Sequence, residues 1–274
     1  MIKKTIILFA IIFVVFEAFL SLNKHNWHSV QYLYQGNIIS ADKYIFNDAA
    51  PKSVIIGTSL SAEIITDSLA GFYNLSMSGM SSLDGLNLIF KRKELPHNVF
   101  IEINYFYKTK NDAFISLYDS KIEQFFKKNI LALRDEDQPV GLLMSYLKSS
   151  GNKNTGADPV VPKKIFVELL NNQIKEYSLP DTSLIKNSLL ELKRYVAKLK
   201  LSGINVIFYE MPTNPLLETS LRANIVRHLI IENFSNSRFI KIPDGNYDTM
   251  DGVHLKKNDA IKYTNYFKRE VNSI

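Results

Sequence analysis

The sequence predicts a three-layer α/β/α domain with a mostly parallel, five-stranded sheet, preceded by one N-terminal transmembrane helix. Three observations support this fold class. Short apolar runs rich in β-branched residues alternate with longer helical patterns from Pro51 onward, which is typical of βαβ units. Polar loops follow the ends of these runs, where open α/β sheets bind their ligands. One apolar stretch near the N-terminus is long enough to cross a bilayer.

Composition excludes several classes of function. The chain has 274 residues, of which 46% are hydrophobic, so it can bury a sizeable core. Its net charge of +6 is spread along the chain without a long basic run, and no nucleic-acid-binding module is recognisable, so we predict no nucleic-acid partner. There are no cysteines, which excludes disulfides and cysteine nucleophiles. No motif calls for a metal or an organic cofactor, and we expect none.

Residues 1–23 are predicted to form a signal anchor. The apolar run Thr5–Leu22 follows two lysines and is about as long as the shortest spanning helices. Because no Ala-x-Ala-like site follows it, an uncleaved anchor is favoured over a cleaved signal peptide. The lysines should stay in the cytoplasm, which places the remaining chain in the periplasm or at the cell exterior. Glu17, the one ionisable group in the run, lies near the outer interface or contacts a membrane partner.

Residues 24–50 form a juxtamembrane segment that contains Trp27 and several tyrosines. Aromatic residues directly after a span are typical of an interfacial belt. His25 and His28 are three residues apart and share a helical face, but no further metal ligand lies near them in the sequence. We therefore interpret this segment as an interfacial one, without a metal site.

The α/β domain is predicted over residues 51–274. Its strands are short apolar runs at Ser53–Ile56, Phe72–Ser76, Asn98–Ile103, Ile204–Tyr209 and Arg238–Ile242. Helices are predicted at about Ser61–Ala70, Ser82–Arg92, Asp181–Leu201, Leu216–Phe234 and Lys257–Asn272.

An insertion at about residues 105–180 interrupts the alternation. It contains predicted helices at Ser120–Asn129 and Gln138–Lys148, followed by a loop rich in Gly, Asn and Ser at 149–159. We expect the insertion to lie over the carboxyl edge of the sheet. It serves there either as a substrate lid or as extra packing helices.

Ser59 lies in the segment Gly-Thr-Ser-Leu-Ser, where the first strand ends and a helix is predicted to begin. An exposed hydroxyl at this position suits a nucleophile, because the carboxyl edge of the sheet is open to ligands. It equally suits a plain helix N-cap, for which serine is a favoured residue. The segment alone does not decide between the two roles.

Polar groups also follow the other strands. Gly79 follows the second strand, Asn104 the third, and Asp251 and His254 the fifth. Acyl chemistry needs a hydroxyl, a base, a group that orients the base, and donors for the oxyanion. Ser59 can supply the nucleophile, His254 the base and Asp251 the orienting carboxylate. The Ser59 and Gly79 amides and the Asn104 side chain can form an oxyanion hole. Alternatively, Asp251 and His254 only hydrogen-bond within their loop.

Four blocks together resemble the SGNH or GDSL-like hydrolase superfamily, over roughly residues 51–110 and 180–274. They are Gly57–Ser61, Asn74–Gly79, Glu102–Asn104 and Asp251–Leu255. The resemblance implies a flavodoxin-like fold and assigns the roles above to the same residues. Two positions depart from the family pattern: Thr58 stands where aspartate is usual, and Glu102 where glycine is usual.

An outward-facing, membrane-anchored member of this superfamily resembles the bacterial O-acetyltransferase-type proteins that modify cell walls and polysaccharides. The resemblance implies transfer from an acyl donor to a glycan hydroxyl through an acyl-Ser59 intermediate. It also implies a multi-pass membrane O-acyltransferase as partner. One alternative is a membrane-anchored or secreted carbohydrate esterase that uses the same residues with water as acceptor. Another is a polysaccharide-binding or scaffold subunit without turnover.

Overall fold

The computed structural model describes residues 2–22, 33–144, 158, 160–178 and 180–272. The chain divides into two compact units. Met1–Asp48 with Ala113–Thr155 form one, here called the anchor unit, and Ala49–Asp112 with Gly156–Ile274 form the other, called the sheet unit. Outside the described residues lie the predicted interfacial residues at 25–28, almost all of the loop predicted at 149–159, and the end of the helix predicted at Gln138–Lys148.

The sheet unit contains a five-stranded, all-parallel sheet. Its strands are β1 (Ser53–Ile56), β2 (Phe72–Asn74), β3 (Asn98–Glu102), β4 (Asn205–Tyr209) and β5 (Arg238–Ile240), in the order β2-β1-β3-β4-β5. This is the flavodoxin-like strand order, and helices cover both faces of the sheet. The predicted fold class is therefore confirmed. The central strands are continuous apolar runs because both of their faces are buried.

Ten α-helices with defined bounds accompany the strands among the described residues. They are α1 (Ile2–Leu22), α2 (Leu33–Phe46), α3 (Ser82–Ile89), α4 (Asp112–Ser116), α5 (Lys121–Asn129), α6 (Lys163–Ser178), α7 (Thr182–Leu201), α8 (Pro215–Glu218), α9 (Leu221–Asn233) and α10 (Lys257–Val271). Residues 139–144 are also helical. The sequence did not predict α2, α4 or α6, and the helix predicted at Leu216–Phe234 is divided into α8 and α9.

The helix predicted at Ser61–Ala70 is wrong. Two short 3-10 helices, Ser61–Glu63 and Thr66–Ser68, take its place. Side chains from elsewhere occupy the backbone groups that an α-helix would need. The Asn74 amide donates to the carbonyls of Ser61 and Ile64, at 2.8 and 3.1 Å. Such competition from side chains is a common reason for a helix not to form.

Helix α1 dominates the anchor unit. Among the described residues it is the one helix long and apolar enough to cross a membrane, with 21 residues and nearly all side chains exposed. Its last turns are packed within the unit, because Leu20 lies against Leu131 and Leu142. Glu17 accepts hydrogen bonds from the backbone amides of Leu131 and Ala132, both at 2.8 Å. The Glu17 carboxylate is thus satisfied by the chain itself.

Candidate active site

The loop after β1 carries Ser59, whose side chain is partly exposed. Gly57 begins this loop and is closely surrounded. A Cβ at Gly57 would lie 2.5 Å from both Glu102 Oε2 and Ser61 Oγ. Only glycine lets the Glu102 side chain reach the loop at this point.

Glu102, at the end of β3, holds the loop by several hydrogen bonds. Its carboxylate accepts from the Thr58 amide at 2.7 Å, from Thr58 Oγ1 at 3.0 Å and from Ser61 Oγ at 2.6 Å. Tyr209 in turn donates to Ser61 Oγ at 2.6 Å. Thr58 and Glu102, the two positions that depart from the pattern the sequence resembles, are therefore direct partners. The network fixes the residues on both sides of Ser59.

The Glu102 side chain is completely buried and has neutral groups as its close partners. Burial raises the pKa of its carboxyl, and the hydrogen bonds from Ser61 and Thr58 act in the opposite direction. A carboxylate accepts hydrogen bonds without donating, so it matches these donors better than an amide would.

Ser59, His254 and Asp251 are hydrogen-bonded in series. Ser59 Oγ lies 2.8 Å from His254 Nε2, and His254 Nδ1 lies 2.6 Å from Asp251 Oδ2. The other oxygen of Asp251 accepts from the backbone amides of Val253 and His254, at 3.0 and 2.8 Å. The sequence-predicted residues at the ends of β1 and β5 therefore meet as expected. Their catalytic role remains a prediction.

The charges of the site define the protonation of His254. Burial acts to raise the pKa of Asp251, but hydrogen bonds from the His254 ring and from two amides outweigh it and lower that pKa. The bond to Asp251 raises the pKa of His254, against the effect of burial. With Asp251 ionised, Nδ1 carries the proton. In the neutral ring, Nε2 is then the acceptor facing Ser59.

A second carboxylate, Glu63, lies beside the same loop. Its Oε2 accepts from the backbone amide of Leu255 at 2.8 Å. Burial raises the pKa of Glu63 to about 7, with the Leu255 amide and the nearby His254 opposing the shift. The Glu63 charge also contributes to the raised pKa of His254. Glu63 therefore influences the proposed base without a direct hydrogen bond to it.

Two of the predicted oxyanion donors, Gly79 and Asn104, follow the strands that flank β1. Gly79, in the turn after β2, has φ of +75° and is exposed, a conformation that other residues rarely adopt. Asn104 follows β3, where Oδ1 accepts from the Met211 amide at 2.8 Å and Nδ2 donates to the Met211 carbonyl at 2.9 Å. This pairing fixes the orientation of the amide and uses one of its two N–H donors. The oxyanion roles of Gly79 and Asn104 stay predictions.

Sequence reasoning missed the contributions of Glu102 and Glu63. The role of Glu102 could have been predicted from the sequence, because an ionisable residue at the end of a buried apolar strand needs partners for its charge. The role of Glu63 could not, since its partner Leu255 is a backbone amide far away in the sequence. Among the described residues, no group of His, Asp and Glu is arranged to hold a metal ion.

The chain is similar to a solved structure of another protein. A solved structure of a Bacteroides fragilis NCTC 9343 protein, described as a "putative acylhydrolase", aligns at 13% sequence identity with a TM-score of 0.43. The alignment covers 90% of this chain and 98% of that chain. No protein-family model matches the chain, and no curated protein matches it. At this identity and score, the alignment carries no information about activity.

Proposed function

We propose that this protein is a membrane-anchored serine enzyme that transfers an acyl group to a sugar hydroxyl of an extracytoplasmic glycan. The observation that carries the proposal is the hydrogen-bonded series from Ser59 through His254 to Asp251. A plain helix cap does not account for it, because the segment after Ser59 forms no α-helix. A hydroxyl, an imidazole and a carboxylate in this order are the parts that nucleophilic acyl transfer requires.

In the first half-reaction, Ser59 Oγ bonds to the acyl carbon of the donor while His254 Nε2 takes the hydroxyl proton. The ionised Asp251 stabilises the imidazolium that forms. The backbone amides of Ser59 and Gly79 and the side-chain amide of Asn104 stabilise the oxyanion of the tetrahedral intermediate. Its collapse breaks the bond to the leaving group, which receives the proton from Nε2. The product is acyl-Ser59.

In the second half-reaction, His254 Nε2 removes the proton from an acceptor hydroxyl, whose oxygen attacks the acyl carbon. Collapse of the second tetrahedral intermediate returns the proton to Ser59 Oγ and releases the acylated acceptor. A sugar hydroxyl as acceptor gives acyl transfer, whereas water gives hydrolysis. The transferase and the esterase share every other step.

A cleft of about 690 Å³ borders the loop that carries Asp251 and His254, but neither of these residues nor Ser59 is among those that line it. Thr249 and Met250 line it, and the Met250 amide donates to the His254 carbonyl at 2.7 Å. Phe166, which is half-buried, adds an aromatic ring, and amide and carboxylate groups line the same cleft. Aromatic faces suit the C–H face of a sugar, and polar groups suit its hydroxyls. This lining supports a glycan acceptor for the acyl group, and the volume is typical of ligand sites.

The membrane part of the proposal is an uncleaved, single-pass anchor with the sheet unit outside the cytoplasm. The packing of Leu20 and the hydrogen bonds of Glu17 support retention of α1, because both tie it to residues of the same unit. The two lysines near the N-terminus support the orientation. A multi-pass membrane O-acyltransferase that supplies the acyl group remains part of the proposal as a partner.

The proposal can be tested by incubating the full-length protein in detergent with a p-nitrophenyl acetate-type ester and measuring its intact mass. We expect an acyl adduct on Ser59, with ester turnover that Ser59→Ala and His254→Ala reduce by about 10⁴-fold or more. Matched controls are Ser68→Ala and His228→Ala, which change an exposed serine and an exposed histidine of the same unit.

Oligosaccharide acceptors then separate the two reactions. Faster deacylation of Ser59 with acyl groups recovered on the sugar supports transfer. Equal deacylation with and without sugar identifies an esterase. A folded protein that gives neither adduct nor turnover, also together with a membrane acyltransferase partner, would contradict the enzyme proposal and favour a binding or scaffold subunit.

A further inference from the structure

Helix α5 presents its apolar side chains away from the protein. Ile122 and Phe125 are 71% and 64% exposed, and Phe126 is also exposed. These residues are three and four positions apart, so they share one face of the helix. A surface helix of a water-soluble domain normally turns this face toward the core.

The polar face of α5 points inward. Lys127 Nζ lies 3.1 Å from the Asp42 carboxylate, which is completely buried, and 3.2 Å from Asp135. Gln124 donates to the carbonyl of Tyr118. Ser120 caps the start of the helix by accepting from the Glu123 amide. These contacts fix the rotation of α5 about its axis, so the outward apolar face is a built feature of the anchor unit.

A second apolar face follows along the chain. Within the helical residues 139–144, Val140 is 74% exposed, and Leu143 and Met144 are exposed as well. Leu142, between them in sequence, is buried against Leu20 of α1. One side of this segment therefore packs on the candidate membrane helix while the other displays apolar side chains.

The segment between these two faces is bound near the end of α1. Both oxygens of Glu17 accept from backbone amides of this segment, those of Leu131 and Ala132. Glu17 precedes Leu22, the last residue of α1, by about 8 Å along the helix axis at 1.5 Å per residue. Amphipathic helices that lie on membranes immerse their apolar face by about 5–10 Å. With the membrane surface proposed at the end of α1, this contact lies within that range.

We propose that α5 and residues 139–144 lie in the membrane interface, with Ile122, Phe125, Val140 and Leu143 immersed in lipid. The inference rests on the membrane anchoring proposed above, and it adds a second membrane contact to the single span. Lipid is the occupant that the structure favours. Leu131 and Ala132, which separate the two faces along the chain, and Leu142 contact α1, whose own apolar surface is exposed along its length. Exposed lysines flank the α5 face, as is usual beside lipid headgroups.

The absence of cysteines allows a direct test with single-cysteine spin labels in the full-length protein. Phe125→Cys and Val140→Cys report on the two proposed faces. Phe9→Cys, in the middle of α1, is the lipid reference, and Lys128→Cys is a matched position at the edge of the α5 face. Each variant is reconstituted into phosphatidylcholine vesicles, where collision rates with oxygen and with a water-soluble nickel chelate are measured. We expect oxygen-to-nickel accessibility ratios at positions 125 and 140 several-fold higher than at position 128.

The reference position separates this inference from the anchoring on which it rests. A label at position 9 that behaves as in water would overturn the anchor and the interfacial contact together. A label at position 9 in lipid with positions 125 and 140 in water would overturn the interfacial contact alone. Exclusion of both oxygen and nickel at positions 125 and 140 would also overturn it, because protein would then cover these faces.

Discussion

The two units each contain a buried carboxylate, but the partners of the two carboxylates differ. In the sheet unit, Glu102 is surrounded by neutral donors from Thr58 and Ser61, which belong to the loop of the proposed nucleophile. In the anchor unit, Asp42 faces the ammonium group of Lys127. The hydrogen bonds from the neutral donors to Glu102 order the loop that carries Ser59. The ion pair between Asp42 and Lys127 neutralises the buried charge and links α2 to α5. We therefore expect changes at Glu102 to affect turnover and changes at the Asp42–Lys127 pair to affect local stability.

Asp251→Asn should give the largest effect, a fall in kcat of about 10⁴-fold, because the amide favours the wrong tautomer of His254. The wild-type kcat/KM should rise with pH through the pKa of His254, which its bond to Asp251 places above the ordinary value. Ester hydrolysis measured across the pH range tests both statements.

The matched control for this change is Asp244→Asn, which alters an exposed carboxylate in the same loop after β5. We expect near wild-type kcat for the control. A kcat for Asp251→Asn within tenfold of wild type would show that the sheet unit does not use this carboxylate to orient a base.

Lys127→Met should reduce the local stability of the anchor unit by about 3 kcal/mol, because it leaves the buried Asp42 carboxylate without its cation. Amide hydrogen exchange in α2 and α5 should then accelerate by about 100-fold, since each 1.4 kcal/mol is a factor of ten. Exchange in β1 to β5 should stay unchanged, and mass spectrometry of peptides measures both.

Lys128→Met is the control, since it removes the neighbouring exposed lysine from the same helix. The comparison between the units breaks down if Lys127→Met leaves exchange in α2 and α5 unaffected. It also breaks down if this variant lowers kcat as much as a change at Glu102 does.

Glu102→Gln should lower kcat by about 100-fold with little change in KM, because the amide nitrogen opposes the donors of Thr58 or Ser61 and shifts the loop. The pH at which kcat/KM rises should still follow His254, since Glu102 positions the loop without transferring a proton. This unchanged pH profile distinguishes a positioning residue from a base.

Glu94→Gln, an exposed carboxylate in the turn before β3, serves as the control for Glu102→Gln. Full activity of Glu102→Gln would mean that the hydrogen bonds to Thr58 and Ser61 do not matter for turnover. A displaced pH profile would instead assign Glu102 a direct role in proton transfer.

Glu63→Gln should give the smallest effect, a move of the acid limb of kcat/KM to lower pH, because the Glu63 charge helps to raise the pKa of His254. The free energy of unfolding of the wild-type protein should also depend on pH, with a sign that follows from the pKa of Glu63. Burial raises the pKa of Glu63 from 4.5 to about 7, so the fold binds a proton more tightly than the unfolded chain in this interval. Wild-type stability therefore falls as pH rises from about 4.5 to 7.

The glutamine variant lacks this titration, so its stability relative to wild type should increase across the same interval. Thermal melts at pH 4.5, 6 and 8 measure the trend, with Asp67→Asn, an exposed neighbour in the chain, as control. A constant difference between Glu63→Gln and wild type at all three pH values would contradict the raised pKa.

The sequence was sufficient to predict the parallel sheet and the close approach of Ser59, Asp251 and His254. Both follow from local patterns, because apolar runs define parallel strands and the carboxyl ends of such strands share one edge. It was insufficient for the segment after Ser59, where Asn74 captures carbonyls that a helix would use. The sequence predicted helix α5 but not the surroundings of its apolar face. The spacing of apolar residues identifies such a face without saying whether protein or lipid covers it.

The pairing of Thr58 with Glu102 constrains how this chain can change. An aspartate at position 58 alone would place a second carboxylate beside a buried one, and like charges at that distance repel. Removing the Glu102 side chain alone would leave the Thr58 and Ser61 donors unsatisfied. Each single exchange is therefore unfavourable, because each side chain is suited to the other. The effect of a change at either position therefore depends on which residue stands at the other.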